Sequence, residues 1–143
     1  MRINGRKRYL LTDLLGLLLA VLVTLASTTD RDAARILLPT ARGRFGRLAR
    51  VWVDGGYTGH LSDQSAAQLQ VVADIVRSGG YDTRGFQFLP RRWVVERSFG
   101  HLMRTRRLVR DFESRTTSAE AMIYWSMALL MTRRLARSHP ARG

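Results

Sequence analysis

The chain has 143 residues, of which 45% are hydrophobic, and this is enough apolar surface for one domain with its own core. Its 24 basic residues outnumber 11 acidic ones, which leaves a formal net charge of +13 at pH 7. A surface this basic favours a polyanionic partner, above all nucleic acid, because binding releases counterions from phosphates. The chain contains no cysteine, which excludes disulfide scaffolds and thiolate metal sites.

The first predicted element is a β-hairpin. Residues 8–12 and 17–24 form two apolar runs, and Asp13 and Gly16 stand where a tight four-residue turn would place them. A cleaved secretory signal is the alternative, since basic residues precede the apolar stretch 14–26. As a helix that stretch would span only about 20 Å, short of the roughly 30 Å of a bilayer core, so we expect no transmembrane segment. We favour the hairpin over a signal because it explains both the turn residues and the apolarity.

A helix follows the predicted hairpin. Residues 27–30 offer Ser, Thr and Asp as N-cap residues before an apolar run at 33–37. Pro39, Gly43 and Gly46 then predict that this helix weakens or ends before residue 48.

A short apolar run at residues 48–53 predicts a buried strand that ends at Asp54, followed by Gly55 and Gly56. Open α/β sheets bind ligands at the carboxyl ends of their strands, and two glycines allow a sharp turn close to a ligand. An aspartate after a strand also commonly caps the next turn, so spacing alone leaves both roles open for Asp54.

The remaining elements alternate in the same way. We predict a helix at residues 62–69, a strand at 71–76, a polar loop at 77–87 and a helix that contains Glu96, with Pro90 just before it or in its first turn. The last helix is predicted at about residues 118–137. Its expected packing residues are Ala121, Ile123, Tyr124, Met127, Ala128, Leu130, Met131 and Leu135. Alternating strands and helices indicate an α/β fold.

One carboxylate, Glu96, lies in an otherwise basic and apolar run, because residues 91–115 hold eight arginines and three acids. On a continuous helix, one face within about 40° of Glu96 would present Arg92, Gly100, Met103, Arg107 and Arg110. The opposite, buried face would present Val94, Val95, Leu102, Leu108 and Val109. A carboxylate among guanidinium groups suits a metal ion beside a phosphodiester. A surface helix whose glutamate pairs with neighbouring arginines explains the pattern equally well.

Histidines offer few metal ligands in this chain. His60, His101 and His139 are the three, and no two of them stand at a metal-ligand spacing. We therefore predict a surface or helix-end role for each, and any metal would be held by oxygen ligands or by one of these histidines.

Two segments resemble motifs of insertion-sequence transposases in the DDE group. VWVDGGY at residues 51–57 resembles the second-Asp motif, and LPRRWVVERSF at residues 89–99 resembles the Glu motif. GRKRYLLTD at residues 5–13, DRD at 30–32 and RRLVRDFE at 106–113 resemble the same family. The likeness is to the bacterial insertion sequence 5 type, within the insertion sequence 4-like superfamily, and it covers nearly the whole chain.

The resemblance implies a ribonuclease-H-like fold, a mixed α/β sheet flanked by helices, with residues 1–143 as a single catalytic domain. It implies Mg²⁺-dependent or Mn²⁺-dependent cutting of phosphodiesters at transposon ends and joining to target DNA. Asp54 and Glu96 would then be catalytic and would be the second and third metal ligands. The arginines expected to bind DNA are Arg92, Arg97, Arg104, Arg107 and Arg110.

The resemblance also implies partners and a location. We expect transposon terminal repeats and target DNA as partners, together with another transposase subunit or the product of an upstream reading frame. No membrane partner is expected, and the expected location is the cytoplasm, on the nucleoid.

The chain departs from the family pattern in several places. Leu89 and Met103 occupy positions where the Glu motif usually has Tyr and a basic residue, whereas Arg92 is retained and Arg104 is displaced by one. The family's first Asp belongs to a strand upstream of the segment that begins here at Gly5, and no other aspartate in the chain is a convincing replacement.

We therefore expect a catalytic domain that is incomplete at its N-terminus, binds its cation weakly and does not catalyse transposition alone. A decayed remnant and a second reading frame expressed by frameshifting both fit these residues. The alternative function is a fragment that binds DNA or inhibits intact transposase without catalysis.

Overall fold

The computed structural model describes residues 5–54, 67–76, 92–110 and 113–138. In chain order the elements are β1 (Arg6–Thr12), β2 (Leu18–Leu25), α1 (Asp30–Arg44), β3 (Arg50–Asp54), β4 (Val72–Val76), α2 (Arg92–Leu102), α3 (Arg106–Val109) and α4 (Thr116–Ser138). The strands form two two-stranded sheets, β1–β2 and β3–β4. The mixed α/β class expected from the sequence is confirmed.

Two compact units are present, and of the described residues the first contains 5–9, 24–54 and 67–76, and the second contains the rest.

The predicted hairpin is confirmed, including its turn. The Asp13 carboxylate accepts hydrogen bonds from the backbone N–H groups of Leu15 and Leu17, at 2.9 and 2.8 Å. Gly16 donates to the Asp13 carbonyl oxygen at 3.1 Å and has a φ of 79°, a conformation that glycine adopts without steric cost. Among the described residues, no helix is long and apolar enough to cross a bilayer.

Along β2, the alternation of buried and half-buried residues shifts by one position midway. Leu18 and Ala20 are buried, and so are Val21 and Val23, which means that two adjacent residues turn inwards. Between the hydrogen bonds that close the two ends of the hairpin, β2 contains one residue more than β1. This pattern indicates a β-bulge at Ala20 and Val21. As a result Leu18, Val21 and Val23 all reach one core cluster.

Replacing Gly16 by Ala is expected to destabilise the fold by roughly 1–2 kcal/mol, because an L side chain is strained at this φ. The added Cβ would also lie 3.3 Å from the hydroxyl oxygen of Ser98. Gly43→Ala is the matched control, since Gly43 lies inside α1 and an added Cβ would meet nothing within 4 Å. Alanine there should stabilise by up to about 1 kcal/mol. Urea denaturation measures both changes, and an unaltered stability of the Gly16 variant would contradict this prediction.

The N-terminus of α1 confirms the predicted capping segment. Thr29 is the N-cap, and its hydroxyl accepts a hydrogen bond from the backbone N–H of Asp32 at 3.2 Å. Asp30 has a further role, because its carboxylate accepts a hydrogen bond from the Tyr9 hydroxyl at 3.0 Å. Burial, and then this bond to Asp30, raises the pKa of Tyr9, so the phenol stays protonated and remains a donor.

The predicted end of α1 before residue 48 is confirmed, but Pro39 does not end the helix. The helix continues to Arg44 with Pro39 exposed on its outer side. Proline removes one backbone hydrogen bond, and the burial of Leu38 and Ala41 on the inner face offsets that loss. The helix ends where the backbone N–H of Phe45 donates to the Ala41 carbonyl oxygen at 2.8 Å.

The two strands predicted on either side of residue 60 form a parallel pair. In the register of β3 and β4, Arg50 pairs with Val72 and Asp54 with Val76. Arg50 also forms an exposed ion pair with Asp74 at 3.3 Å. Parallel strands need a crossover connection. The helix predicted there at residues 62–69 lies outside the described residues, apart from a helical turn at 67–69.

The core of the second unit brings the inner end of the hairpin together with α2, α3 and α4. Its buried members are Leu18, Val21, Val23, Leu102, Leu108, Ala119, Ile123 and Met127. The Glu120 carboxylate accepts a hydrogen bond from the Val23 backbone N–H at 2.9 Å, and the Tyr124 hydroxyl accepts one from Val21 at 3.4 Å. These bonds satisfy backbone donors of β2 that would otherwise be buried without partners.

The last helix packs through a narrower face than predicted. Ile123 and Met127 are fully buried, as expected, but Ala121, Ala128 and Leu135 are exposed. Only one side of α4 meets the core, so residues about 100° or more away from that side remain in solvent.

Candidate functional site

Asp54 is the last residue of β3, and its register partner Val76 is the last residue of β4. The backbone of Asp54 therefore lies at the carboxyl end of a parallel strand pair, the edge at which α/β sheets bind ligands. This confirms the predicted position at a strand end. The side chain of Asp54 and residues 55–57 lie outside the described residues.

Glu96 is an exposed residue of α2. The opposite side of this helix is buried through Val94, Ser98 and Leu102, which follow one another at intervals of four residues. Ser98 donates to the carbonyl oxygens of Val94 and Gly16, at 3.0 and 3.2 Å, so the helix is held against the turn of the hairpin. Burial of this face is what presents Glu96 to solvent.

Sequence reasoning missed Ser98. The signal was available, because a serine stands between Val94 and Leu102 at helical spacing, where an apolar residue would ordinarily pack. A buried hydroxyl at such a position needs a hydrogen-bond partner, and the carbonyl oxygens of Val94 and Gly16 both lie within reach of its one proton.

The predicted continuous helix from Arg92 to Arg110 is wrong. Helix α2 ends at Leu102, where the backbone N–H groups of Met103 and Thr105 donate to the carbonyls of Phe99 and Leu102 at 3.0 Å. The short helix α3 then starts at Arg106. Residues beyond Leu102 do not continue the axis of α2. Helical spacing counted from Glu96 therefore no longer identifies which of them share its face.

The predicted apolar face is therefore only partly buried. Val94, Leu102 and Leu108 are buried, as expected, whereas Val95 and Val109 are 39% and 49% exposed. Because α2 ends at Leu102, Arg107 and Arg110 do not lie on the helix face of Glu96.

Four of the five arginines expected to bind DNA are exposed, namely Arg97, Arg104, Arg107 and Arg110. The side chain of Arg92 lies outside the described residues. Arg107 forms an ion pair with Glu113 at 2.8 Å, and the Glu113 side chain is only 16% exposed. Because a buried carboxylate needs its counter-charge, this arginine has a structural role whatever else it contacts.

His101 lies in the last turn of α2, which agrees with the predicted helix-end role. Burial and the nearby charge of Arg104 lower its pKa below the ordinary value, with smaller opposing and reinforcing effects from the Ser126 backbone, Arg134 and Arg133. The imidazole is therefore neutral at pH 7. His60 and His139 lie outside the described residues.

Within the described parts of the chain, no three His, Asp or Glu side chains lie close enough together to hold a metal ion. Asp54 and Glu96 offer carboxylate oxygens, the ligand type that Mg²⁺ and Mn²⁺ prefer.

The comparisons with known proteins bear on both motifs. The family model described as Transposase DDE domain matches residues 2–131. No curated protein and no solved structure is significantly similar to the chain. The family match contains the strand end at Asp54, the helix of Glu96 and most of α4, and it spans far more than half of the chain. The chain therefore belongs to the transposase DDE domain family.

Proposed function

We propose that the chain takes part in transposition, in which the parent enzyme uses Mg²⁺ or Mn²⁺ to cleave phosphodiesters at transposon ends and transfers the freed strand to target DNA. Its family supports a role in DNA transposition, and the observation that carries the proposal is the family match over residues 2–131. Within that match a carboxylate ends a parallel strand and another stands on the exposed side of a helix. These are the residue types that two-metal polynucleotidyl transfer needs.

In this proposal Asp54 and Glu96 are the second and third carboxylates of the family's metal site. When bound, the divalent cation polarises the phosphodiester and activates the attacking oxygen. The chain's own contribution is to hold the cation through these two side chains and to orient the DNA strand through its arginines. Arg97 and Arg104 carry exposed guanidinium groups whose planar forks match phosphate oxygens.

We further propose that the chain is of the insertion sequence 5 type, with a ribonuclease-H-like fold in which both units belong to one catalytic domain. Residues 1–143 contain matches for two of the three carboxylates. Two carboxylates offset only about half of the positive charge of a two-metal site and leave it short of ligands, so this polypeptide alone is proposed to be inactive.

A cleavage assay on DNA with the matching terminal repeats tests this proposal. The 143-residue polypeptide and a version joined to its upstream coding sequence are each incubated with Mg²⁺. We expect no cleavage by the first and nicking followed by strand joining by the second. Absence of activity from both would contradict the catalytic proposal.

A second candidate is a fragment that binds DNA or inhibits intact transposase without catalysis. The net charge of +13 and the exposed arginines of α2 and α3 favour it. DNA binding should weaken steeply with salt, with the logarithm of affinity falling by about 0.9 per phosphate contact for each unit of log salt concentration.

This binding should survive Asp54→Asn and Glu96→Gln, since neither residue neutralises phosphate. Fluorescence anisotropy at several salt concentrations measures it. Binding retained together with inhibition of the intact enzyme, and without cleavage by the joined protein, would favour the second candidate over the first.

A further inference from the structure

The turn of the β1–β2 hairpin is fixed from within by Asp13. The Asp13 carboxylate accepts hydrogen bonds from the backbone N–H groups of Leu15 and Leu17, at 2.9 and 2.8 Å. The Asp13 N–H donates to the Leu17 carbonyl oxygen at 2.9 Å, and the Asp13 carbonyl oxygen accepts from Gly16 at 3.1 Å. These bonds hold the turn in one conformation and so fix the directions of its remaining carbonyl groups.

Two helices contact those carbonyl groups from outside the turn. The Ser98 hydroxyl of α2 lies 3.2 Å from the Gly16 carbonyl oxygen, and Arg134 of α4 donates to the Leu15 carbonyl oxygen at 3.0 Å. The turn, α2 and α4 all belong to the second unit. The hairpin turn is therefore a shared support for two helices of this unit.

Gly16 allows α2 to lie directly on the turn. A Cβ at this position would be 3.3 Å from the Ser98 hydroxyl oxygen, 3.7 Å from a methyl carbon of Val94 and 3.8 Å from the Val94 carbonyl oxygen. Ser98 and Val94 are 3% and 6% exposed. Because they are one helical turn apart, the contact with Gly16 extends along α2 and is not confined to one residue.

Glu96 stands midway in sequence between these two contact residues. Val94 and Ser98 each lie two positions from it, so at 100° per residue Glu96 leaves the helix about 160° away from both. Any rotation of α2 about its own axis would turn the Glu96 side chain through the same angle. The contact with the turn therefore sets the direction in which this carboxylate points.

The hydroxyl of Ser98 adds direction to that contact. If the position only had to be filled, alanine would form a better helix and would bury no polar group. Apolar contacts are non-directional and allow a helix to slide or rotate, whereas a hydrogen bond restricts both distance and angle. The Gly16 carbonyl oxygen thus provides a fixed reference point for the rotation of α2.

We propose that Asp13, Gly16 and Ser98 are positioning residues for the Glu96 carboxylate. Asp13 fixes the turn, Gly16 admits the helix, and Ser98 sets the rotation of the helix. The inference rests on the proposed role of Glu96 as a metal ligand and deepens it, since Mg²⁺ accepts only small departures from ideal ligand geometry. It also gives Asp13, which ends the family-like segment at residues 5–13, a role other than that of a metal ligand.

The orientation of α2 can be measured on the 143-residue chain without any activity. Because the chain contains no cysteine, Glu96→Cys and Leu129→Cys introduce two unique sites for nitroxide labels, at exposed positions of α2 and α4. Pulsed electron paramagnetic resonance gives the distribution of distances between the labels. We expect a single narrow distribution that broadens or shifts when Ser98→Ala is added. Asp13→Ala, which alters the turn and leaves α2 unchanged in sequence, should have the same effect.

Ser126→Ala is the matched control. Ser126 is also a buried serine, 6% exposed, and its hydroxyl lies 2.8 Å from that of Thr105. Both serine variants should lower the midpoint of thermal unfolding by a similar amount, roughly 2–5 °C, because each loses one buried hydrogen bond. The control should leave the distance distribution unchanged.

The functional consequence is measured on the protein joined to its upstream coding sequence, without labels. In Ser98→Ala the Mg²⁺ concentration that gives half-maximal nicking should rise roughly threefold or more, because a misdirected ligand weakens the cation site. In Ser126→Ala it should stay within about 1.5-fold, since lost stability alone lowers the amount of folded protein and does not move this midpoint.

Two results would overturn the inference and leave the proposed function standing. One is an unchanged distance distribution in Ser98→Ala, or equal broadening in Ser98→Ala and Ser126→Ala. The other is an unchanged Mg²⁺ midpoint in an active Ser98→Ala protein. Inactivity of the unaltered joined protein would instead contradict the proposed function and, with it, the role assigned to Glu96.

Discussion

Asp54→Asn and Glu96→Gln should each abolish cleavage and strand transfer by the protein joined to its upstream coding sequence. Either change removes one negative ligand from the proposed cation site while preserving the size of the side chain. The lost stabilisation of the transition state should be about 4 kcal/mol or more, which is roughly a thousandfold in rate. Initial rates of nicking at a labelled terminal repeat, with saturating Mg²⁺, measure the effect.

Asp74→Asn is the control for this pair of variants. Asp74 is also a carboxylate of the β3–β4 sheet, but it forms an exposed ion pair with Arg50, a kind of contact worth about 0–1 kcal/mol. Its activity should stay within about threefold of the unaltered protein. Thermal unfolding with and without Mg²⁺ gives an independent readout, because a bound cation stabilises the folded state. Cleavage by the Asp54 or Glu96 variant at the unaltered rate would remove that residue from the proposed site.

Leu102→Ala should produce the largest loss of stability among simple substitutions in the second unit. Leu102 is 1% exposed and joins α2 to the cluster built by the hairpin and α4. Deleting its buried methyl groups removes apolar burial and leaves a cavity, which costs about 2–5 kcal/mol. Since Leu102 anchors the helix that carries Glu96, DNA cleavage by the joined protein should fall as the folded fraction falls.

The matched control is Leu129→Ala, the same change on the outer side of α4, where the side chain is 49% exposed. It should alter stability by no more than about 0.5 kcal/mol. Urea denaturation followed by far-ultraviolet circular dichroism measures both variants. A loss of similar size at the two positions would show that α2 does not depend on this core.

Several elements could be predicted because their signals lie within a few neighbouring residues. Asp13 and Gly16 specify the hairpin turn through a carboxylate acceptor and a left-handed glycine. Thr29 caps α1 by accepting a hydrogen bond from the backbone N–H of Asp32, the third residue of the helix. The apolar run before Asp54 predicts the strand β3, since Val and Trp side chains followed by glycines favour a strand, although only Val51 is fully buried.

Other features could not be predicted, since they depend on contacts between distant positions. The helical pattern from Glu96 to Arg110 reads as continuous, but the chain turns after Leu102. A hydrogen bond between Thr105, at the end of that turn, and Ser126 joins residues 21 positions apart. Arg107 resembles the other exposed arginines of its segment until its partner Glu113 is identified.

The sequence by itself determined the secondary structure around Asp54, the acidic and basic residue types available for the proposed chemistry, and the family. These depend on local backbone preferences and on short motifs. Only the tertiary structure decided that Ser98 holds α2 on the hairpin turn and that Arg107 pairs with Glu113. Such groupings arise because burial of one helix face fixes which side chains the opposite face presents, and the identity of the buried face depends on what packs against it.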